Sequence, residues 1–206
     1  MYFSALKKRA KDDAITFIQQ FPPASFTDRH LIGRSSVVFR HDIVNGLPIE
    51  YNYVDVLYSD IVWPKGMKVF NEAAEAGTDY EQYMGAIVSI IKSVRVPVFI
   101  VAGMAEQKRF ESANDFRPIT LNGDRAWLYS WRETVKSNEA VKILKEIARG
   151  HDRIGDFCCG LGRTGKVFYD LGKSFVMSDI NGRCVTAIVE DSKEWEKRRP
   201  EYRPER

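Results

Sequence analysis

Two short stretches of the 206-residue chain hold residues whose types and spacing could do chemistry, and the first is a glycine loop. Residues 155–166 read GDFCCGLGRTGK and follow a short apolar run, so a G-x-G-x-x-G pattern stands between a predicted strand and a predicted helix. Such glycines let a backbone approach a nucleotide, and an acidic residue about 20 positions later can hold a ribose. Asp179 stands at about that distance, and Asp156 at the start of the loop is suited to an ammonium group. The stretch predicts a nucleotide-cofactor loop.

The second stretch, VDVLYSDIVWPKG at residues 54–66, follows a predicted strand with an acid and an aromatic residue. Ligands collect at the carboxyl ends of strands in open α/β sheets. Asp60 can accept a hydrogen bond from an exocyclic amino group, and Trp63 offers a face on which a planar base can stack. A tryptophan after a strand is also commonly a core or lid residue. The stretch favours a base-binding site, with packing as the alternative role for Trp63.

The place of the glycine loop in the chain argues against a dinucleotide. Only 41 residues follow Gly165, and they hold one predicted strand, whereas an NAD-binding domain opens with this loop and needs several more strands after it. The rest of the sheet must therefore come from earlier in the chain. The carboxylate of Asp156 fits the ammonium group of S-adenosylmethionine instead. A glycine turn that binds no ligand stays open as an alternative, because this motif alone is weak evidence.

Apolar runs that alternate with helical stripes give the chain an α/β rhythm. Asn122-Gly123 between two such runs predicts an antiparallel hairpin, and the helical connections elsewhere predict parallel pairing. The predicted fold is a Rossmann-like sheet of seven mostly parallel strands with one antiparallel hairpin and helices on both faces. The predicted strands span residues 36–40, 53–59, 97–102, 116–121, 125–131, 153–157 and 174–178.

The length of the chain predicts a single domain over residues 1–206. An amphipathic stripe over residues 4–21 predicts a helix within an N-terminal extension, which we place at residues 1–30. A later helix is predicted to begin at a cap on Ser137 and to end at Gly150. Residues 193–206 are rich in charge and read as a flexible tail.

Composition limits the partners and the compartment. The 31 basic residues exceed the 28 acidic ones by only three, so the surface is mixed and nucleic acid is permitted as a partner but not indicated. Cys158 and Cys159 are adjacent and leave only Cys184, which gives neither a disulfide framework nor the ligand spacing of a metal site. With no apolar run of about 20 residues and no signal-peptide pattern, we expect a cytoplasmic protein without a metal.

Together, the stretches resemble a known family. VVFRHDIVNGLPIEYNYVDVLYSDIVW at residues 37–63 resembles the opening half of the amino-group (N6-adenine and N4-cytosine) DNA methyltransferases of the circularly permuted order, in which the catalytic segment precedes the cofactor loop. Residues 134–185, from TVKSNEAVK to NGRCV, resemble their closing half. The resemblance covers about residues 36–190 and implies a class I methyltransferase fold, S-adenosyl-L-methionine as cofactor and DNA as substrate, with adenine N6 favoured over cytosine N4.

The resemblance also implies roles for individual residues. Asp60 would hold the target amino group, and Trp63 would stack on a base that is flipped out of the duplex or already single-stranded. Asp42 would contact the adenine of the cofactor, and Asp179 would hold its ribose. The implied cofactor loop comprises Asp156, Cys158, Gly160 and Gly162, and the implied contacts near the methionine end are Lys136 and Ser137.

Two departures from the family pattern leave alternatives open. Ile61 and Val62 stand where the family has two prolines, which is compatible with a catalytically silent cofactor-binding or partner-binding protein. The short stretch between Trp131 and Ser137 leaves almost no room for a target-recognition insert, which is compatible with methylation of RNA or of a small molecule. A minimal recognition region would also suit an enzyme of a phage or mobile element.

Overall fold

The computed structural model of the chain describes residues 16–61, 71, 77–121 and 124–198. Residues 16–19 are helical, and three short 3-10 helices lie at Ile43–Asn45, Ile49–Tyr53 and Met104–Lys108. The strands are β1 (Arg29–Ile32), β2 (Ser36–Arg40), β3 (Val56–Asp60), β4 (Val98–Ala102), β5 (Asp115–Leu121), β6 (Asp124–Trp131), β7 (Arg153–Asp156) and β8 (Ser174–Asp179). The longer helices are α1 (Tyr80–Ser93), α2 (Ala140–Gly150), α3 (Arg163–Asp170) and α4 (Gly182–Arg198).

The eight strands form one sheet in the order β1-β2-β8-β7-β3-β4-β6-β5. The five strands from β2 to β4 in this order pair in parallel, whereas β1 with β2, β4 with β6 and β5 with β6 pair antiparallel. Strand order reverses between β7 and β3, because β7 leads through α3 to β8 on one side and β3 leads through α1 to β4 on the other. Ligands bind at such a switch point in open α/β sheets.

Helices cover both faces of this sheet, because its central strands are apolar on both sides. Alternate residues such as Val56 and Phe99 pack against α2, α3 and α4 on one face. Their neighbours Leu57 and Ile100 pack against α1 on the other face. Each central strand is therefore held by two buried layers, and its carboxyl end is fixed in position.

All seven predicted strands are present, and the structure has an eighth strand that was not predicted. The additional strand, β1, is a four-residue antiparallel edge strand whose residues are mostly exposed or half-buried. A short edge strand of this kind carries little apolar alternation, so it has no clear signal at the level of sequence. Asn122 and Gly123 lie outside the described residues, while the flanking pair Leu121 and Asp124 has the register of the predicted hairpin.

The start of one predicted helix and the start of the predicted tail differ from the structure. Helix α2 begins at Ala140, with Glu139 at the N-cap position, so Ser137 does not cap it. Helix α4 continues to Arg198 and buries Trp195, so the first residues of the predicted tail at 193–206 are helical instead. The remainder of that tail and residues 1–15 of the predicted extension lie outside the described residues.

Candidate active site

Strand β7 brings Asp156 to the carboxyl edge of the sheet beside β3. Gly155 precedes it at a close approach, since a Cβ there would lie 2.6 Å from Leu57 Cδ2 and 2.9 Å from Tyr51 Cδ1. The Tyr51 hydroxyl reaches into this space, donates to the carbonyl oxygen of Asp156 at 2.9 Å and lies 2.8 Å from Ser178 Oγ. A buried tyrosine thus links the ends of β7 and β8 directly beneath the glycine loop.

The three glycines of the loop each meet a demand of the fold. Gly160 and Gly162 have φ angles of 50° and 77°, a left-handed conformation that strains other residues. Gly162 also begins α3 against Ile188, whose Cγ1 would lie 2.9 Å from an added Cβ. At Gly165 an added Cβ would clash with the side chain of Met177, so this glycine lets α3 pack closely on β8. The motif therefore shapes a strand, a tight turn and a helix.

Asp179 anchors the loop from the end of β8. Its Oδ2 accepts a hydrogen bond from the Gly160 amide at 2.8 Å, and its Oδ1 accepts one from the Asn181 amide at 2.9 Å. Burial raises the pKa of Asp179, and these two amide bonds oppose the rise. The side chain is thus fixed in orientation beneath the loop, at the position predicted for a ribose acid.

The carboxylate of Asp156 is fixed by a serine of the neighbouring strand. Asp156 Oδ1 accepts hydrogen bonds from Ser59 Oγ at 2.9 Å and from the Cys158 amide at 3.1 Å. Ser59 Oγ in turn accepts one from the Phe157 amide at 3.1 Å. Burial raises the pKa of Asp156, while the hydrogen bonds from Thr164 and Ser59 lower it. Ser59 therefore links the end of β3 to the glycine loop through hydrogen bonds.

Asp60 is the last residue of β3 and lies at the same edge. The strand does not turn away immediately after it, because the Ile61 amide donates to the Val101 carbonyl at 3.0 Å and the Ile61 side chain is buried. Burial and the charge of Asp156 raise the pKa of Asp60 to about 7, and the charge of Arg163 opposes that rise. An isoleucine thus replaces the family's first proline with its amide paired in the sheet.

A cleft of about 380 Å³ opens where these elements meet. It brings together Asp60, Asp156, Cys158 and Gly160 of the predicted site. Its described lining residues are Tyr58, Asp60, Leu121, Leu144, Asp156, Cys158, Cys159, Gly160, Leu161, Arg163 and Thr164. The cleft therefore joins the end of β3, the glycine loop and the start of α3.

The thiols in this region are kept neutral. Burial raises the pKa of Cys158 and of Cys159 well above the ordinary thiol value, and the charges of Asp156 and Asp179 raise both further. Cys158 Sγ also lies 3.2 Å from the Tyr83 hydroxyl on α1. Because the thiolate is the reactive form, these cysteines are suited to packing rather than to nucleophilic chemistry.

Asp42 is not among the described residues that line the cleft. It follows β2, caps the first 3-10 helix and accepts a hydrogen bond from the Val44 amide at 3.1 Å. Strand β2 pairs with β8 so that Arg40 faces Asp179, which places Asp42 beyond the same carboxyl edge as the predicted ribose acid. The predicted adenine and ribose contacts are therefore neighbours along the sheet.

Lys136 and Ser137 bond to Glu146, a residue for which the sequence patterns predict no role. Glu146 on α2 accepts hydrogen bonds from both backbone amides, at 2.7 and 3.0 Å, and from Ser137 Oγ at 2.7 Å. The segment also runs beside β5, where the Thr120 amide donates to the Asn138 carbonyl. Neither Lys136 nor Ser137 is among the described residues that line the cleft.

The remaining predicted positions divide between described and undescribed residues. Gly162 starts α3 just behind the cleft, whereas Trp63 and Val62 lie outside the described residues. Among residues 16–61, 71, 77–121 and 124–198, no cluster of His, Cys, Asp or Glu could hold a metal ion. No helix in those ranges is long and apolar enough to span a membrane.

Sequence comparisons return no match, neither with a family model nor with a curated protein. Solved structures do match. M1.HpyAVI in complex with SAM is 12% identical with a TM-score of 0.50, and the match covers 76% of this chain and 98% of that chain. The fold is that of the class I methyltransferases. TTHA0409 of Thermus thermophilus, a candidate DNA modification methylase solved with S-adenosyl-L-methionine, is 12% identical with a TM-score of 0.45, covering 88% of this chain and 91% of that chain.

The class I methyltransferase fold agrees with the predicted sheet, apart from the added edge strand. The two strands that carry Asp60 and Asp156 are neighbours, although they are far apart in the chain. Strand β7 with the glycine loop comes late in the chain yet lies at the centre of the sheet. The segment that ends at Asp60 thus precedes the glycine loop in the chain and lies beside it in the sheet.

Proposed function

We propose that this chain is an S-adenosylmethionine-dependent methyltransferase that modifies the exocyclic amino group of a DNA base, adenine N6 before cytosine N4. One observation carries the proposal: Asp60 and Asp156 line a single cleft at the switch point of the sheet. The likeness in fold to a protein solved with SAM supports it. Donor and acceptor would meet between the two carboxylates.

The described residues fit the cofactor. Asp156 offers a carboxylate to the ammonium group of the methionine end, and the backbone at Gly160 allows close approach. Each carboxylate oxygen of Asp179 accepts one hydrogen bond from a backbone amide. Because a carboxylate oxygen can accept more than one hydrogen bond, both oxygens can still accept from ribose hydroxyls. Asp42 lies two residues beyond β2 at the same edge, where an adenine amino group would follow the ribose. When bound, the cofactor would supply a methyl group from its sulfonium: the sulfur–methyl bond breaks, the sulfur leaves as a neutral thioether, and the methylated nitrogen loses one proton to solvent.

Asp60 would act on the acceptor nitrogen. The lone pair of an exocyclic amino group is delocalised into its ring, so it must become more tetrahedral to attack a methyl carbon in line. The Asp60 carboxylate would accept a hydrogen bond from the amino group and stabilise the positive charge that develops there. Because Asp60 ends a strand that is buried on both faces, its position is fixed, and alignment supplies much of the rate enhancement.

The acceptor base must be accessible for this reaction. In a duplex it would be flipped out at a cost of about a few kcal/mol, whereas a single strand would present it directly. Trp63 follows Asp60 by three residues and would stack on the base, a role that stays a prediction. A single-stranded substrate should therefore be methylated at least as fast as a duplex.

The test is transfer of a tritiated methyl group from S-adenosylmethionine to unmethylated duplex and single-stranded DNA, followed by nucleoside analysis. Label in N6-methyladenine is the expected result, and Asp60→Ala should abolish it. Asp170→Asn is a matched control, since Asp170 is an exposed carboxylate on α3 that pairs with Lys166 away from the cleft. Equal loss in both variants would contradict the role of Asp60.

The same assay separates the alternatives. Label in RNA or in a small-molecule fraction, but not in DNA, would show that the protein is a methyltransferase whose acceptor is not DNA. Binding of the cofactor with no transfer to any acceptor would indicate a silent cofactor-binding protein. The pairing of the Ile61 amide with Val101 is the feature to test then, through an Ile61→Pro variant that restores the family's residue.

A further inference from the structure

The cleft has a mixed charge that the proposed mechanism does not fully use. Asp60 and Asp156 contribute two carboxylates, and Arg163 is the one basic residue among the described residues that line the cleft. Two acids alone would attract an ammonium group but repel a carboxylate. The guanidinium therefore changes the kind of ligand that the cleft can accept.

The backbone fixes where Arg163 stands. Gly162, in its left-handed conformation, is the N-cap residue of α3, and Arg163 is the first residue of that helix. Arg163 is an exposed residue that lines the cleft, as Asp156 does. Burial raises the pKa of both Asp60 and Tyr58, and the positive charge of Arg163 opposes both rises. Asp60 and Tyr58 line the same cleft.

The methionine end of S-adenosylmethionine is a zwitterion, with an ammonium and a carboxylate on one carbon. We infer that Arg163 binds this α-carboxylate while Asp156 binds the α-ammonium, an inference that rests on the proposed function. A guanidinium can bind a carboxylate through two parallel hydrogen bonds, which gives direction as well as strength. The pair of opposite charges in the cleft matches the two charges of the amino acid.

The family resemblance implies contacts near the methionine end at Lys136 and Ser137. The backbone amides of both residues and the Ser137 hydroxyl donate to Glu146 on α2 instead. Those donors hold a connecting segment in place and do not line the cleft. Arg163 supplies the missing cation at the methionine end.

The test compares two ligands that differ only at the carboxylate. Isothermal titration would measure the affinity of the wild type, Arg163→Met and Arg163→Lys for S-adenosylmethionine and for decarboxylated S-adenosylmethionine. We expect Arg163→Met to weaken the first ligand by about 10- to 100-fold, as for loss of a charge-assisted hydrogen bond, and to leave the second within about twofold. Arg163→Lys, which keeps the charge, should recover part of the loss.

Lys166→Met is the matched control, because Lys166 lies one turn further along α3 and pairs with Asp170 outside the cleft. It should change neither affinity, and thermal unfolding would confirm that all variants fold. An equal loss for both ligands in Arg163→Met, or no loss for either, would overturn the inference and leave the proposed function standing. An unchanged cofactor affinity with a raised KM for DNA would overturn it in favour of a phosphate contact. Failure of the wild type to bind either ligand would overturn the proposed function and this inference together.

Discussion

Asp179 and Asp60 end parallel strands at the same edge of the sheet, yet their surroundings suit them to different tasks. Asp179 gives one oxygen to each of two backbone amides, so its orientation is fixed by hydrogen bonds. Asp60 lies between the charges of Asp156 and Arg163, and burial raises its pKa to about 7. The two hydrogen bonds fix the Asp179 carboxylate in an orientation suited to binding. Burial near other charges leaves the Asp60 carboxyl group with an ionisation state that can respond to a substrate.

The largest effect should follow from Asp60→Asn. The amide keeps the shape of the carboxylate but loses its charge, so the single-turnover rate of methyl transfer should fall by about 10²- to 10⁴-fold. Cofactor affinity should change by less than about threefold. Rapid-quench measurement of labelled DNA would show the first effect, and calorimetric titration the second. A large loss of cofactor affinity would remove the distinction between Asp60 and Asp179.

Asp179→Ala should reverse this pattern. Removing the carboxylate deletes the predicted ribose contact and releases the Gly160 amide, so affinity for S-adenosylmethionine should fall by about 10- to 100-fold. At saturating cofactor the transfer rate should stay within about fivefold of the wild type. Titration followed by single-turnover kinetics checks both. A rate loss as large as that of Asp60→Asn would place Asp179 in the chemical step.

The pH dependence of transfer should report Asp60. Only the ionised carboxylate carries the negative charge that stabilises the amino group as it becomes positive. Burial and the charge of Asp156 raise the pKa of Asp60 to about 7, so kcat/KM should rise with pH and level off above about 7. Among the described residues, the charged groups that act on the pKa of Asp60 are Asp156, whose charge raises it, and Arg163, whose charge lowers it. Arg163→Met should therefore shift the midpoint to higher pH, and a profile flat between about pH 5 and 9 would contradict the assignment.

The smallest effect is on stability, and its sign should differ between the two acids. The pKa of Asp60 is raised in the folded state, so its charge destabilises the fold above about pH 7, and this penalty is absent below its unfolded pKa near about 4. Asp60→Asn should raise Tm by about 2–4 °C at pH 8 and by less at pH 5. Asp179→Asn places an amide donor against a backbone donor and should lower Tm. Calorimetric scans at both pH values would show whether the signs differ.

Local patterns made much of the fold predictable. Apolar alternation and the Asn122-Gly123 turn signal predicted seven strands and the hairpin, because both signals come from neighbours in sequence. Strand β1 was missed because a short, exposed edge strand has little pattern of its own. The start of α2 was misplaced because Ser137 has the composition of a cap but bonds to Glu146, and the register of that contact is not local.

The site was predictable where a residue type and its place at a strand end coincide. Asp60 and Asp156 met this condition, and their strands are neighbours. Ser59 did not, because nothing local shows that its hydroxyl bonds to a carboxylate 97 residues later. Arg163 is a surface arginine in sequence terms, and only the turn at Gly162 brings it into the cleft. The site residues that sequence patterns miss are therefore those whose roles depend on contacts between distant parts of the chain.

The position of β7 and β8 in the sheet has a consequence for the order of assembly. These two strands lie between β2 and β3, although β2 and β3 are made long before them. Until they insert, two partial sheets must coexist, each with an unpaired central edge that could pair wrongly. We expect those amides of β2 and β3 that bond to β8 and β7 to gain protection only when these two strands insert, which pulse-labelled hydrogen exchange would detect. Strand β7, which leads into the glycine loop, would then complete the sheet during folding as well as position Asp156 in the cleft.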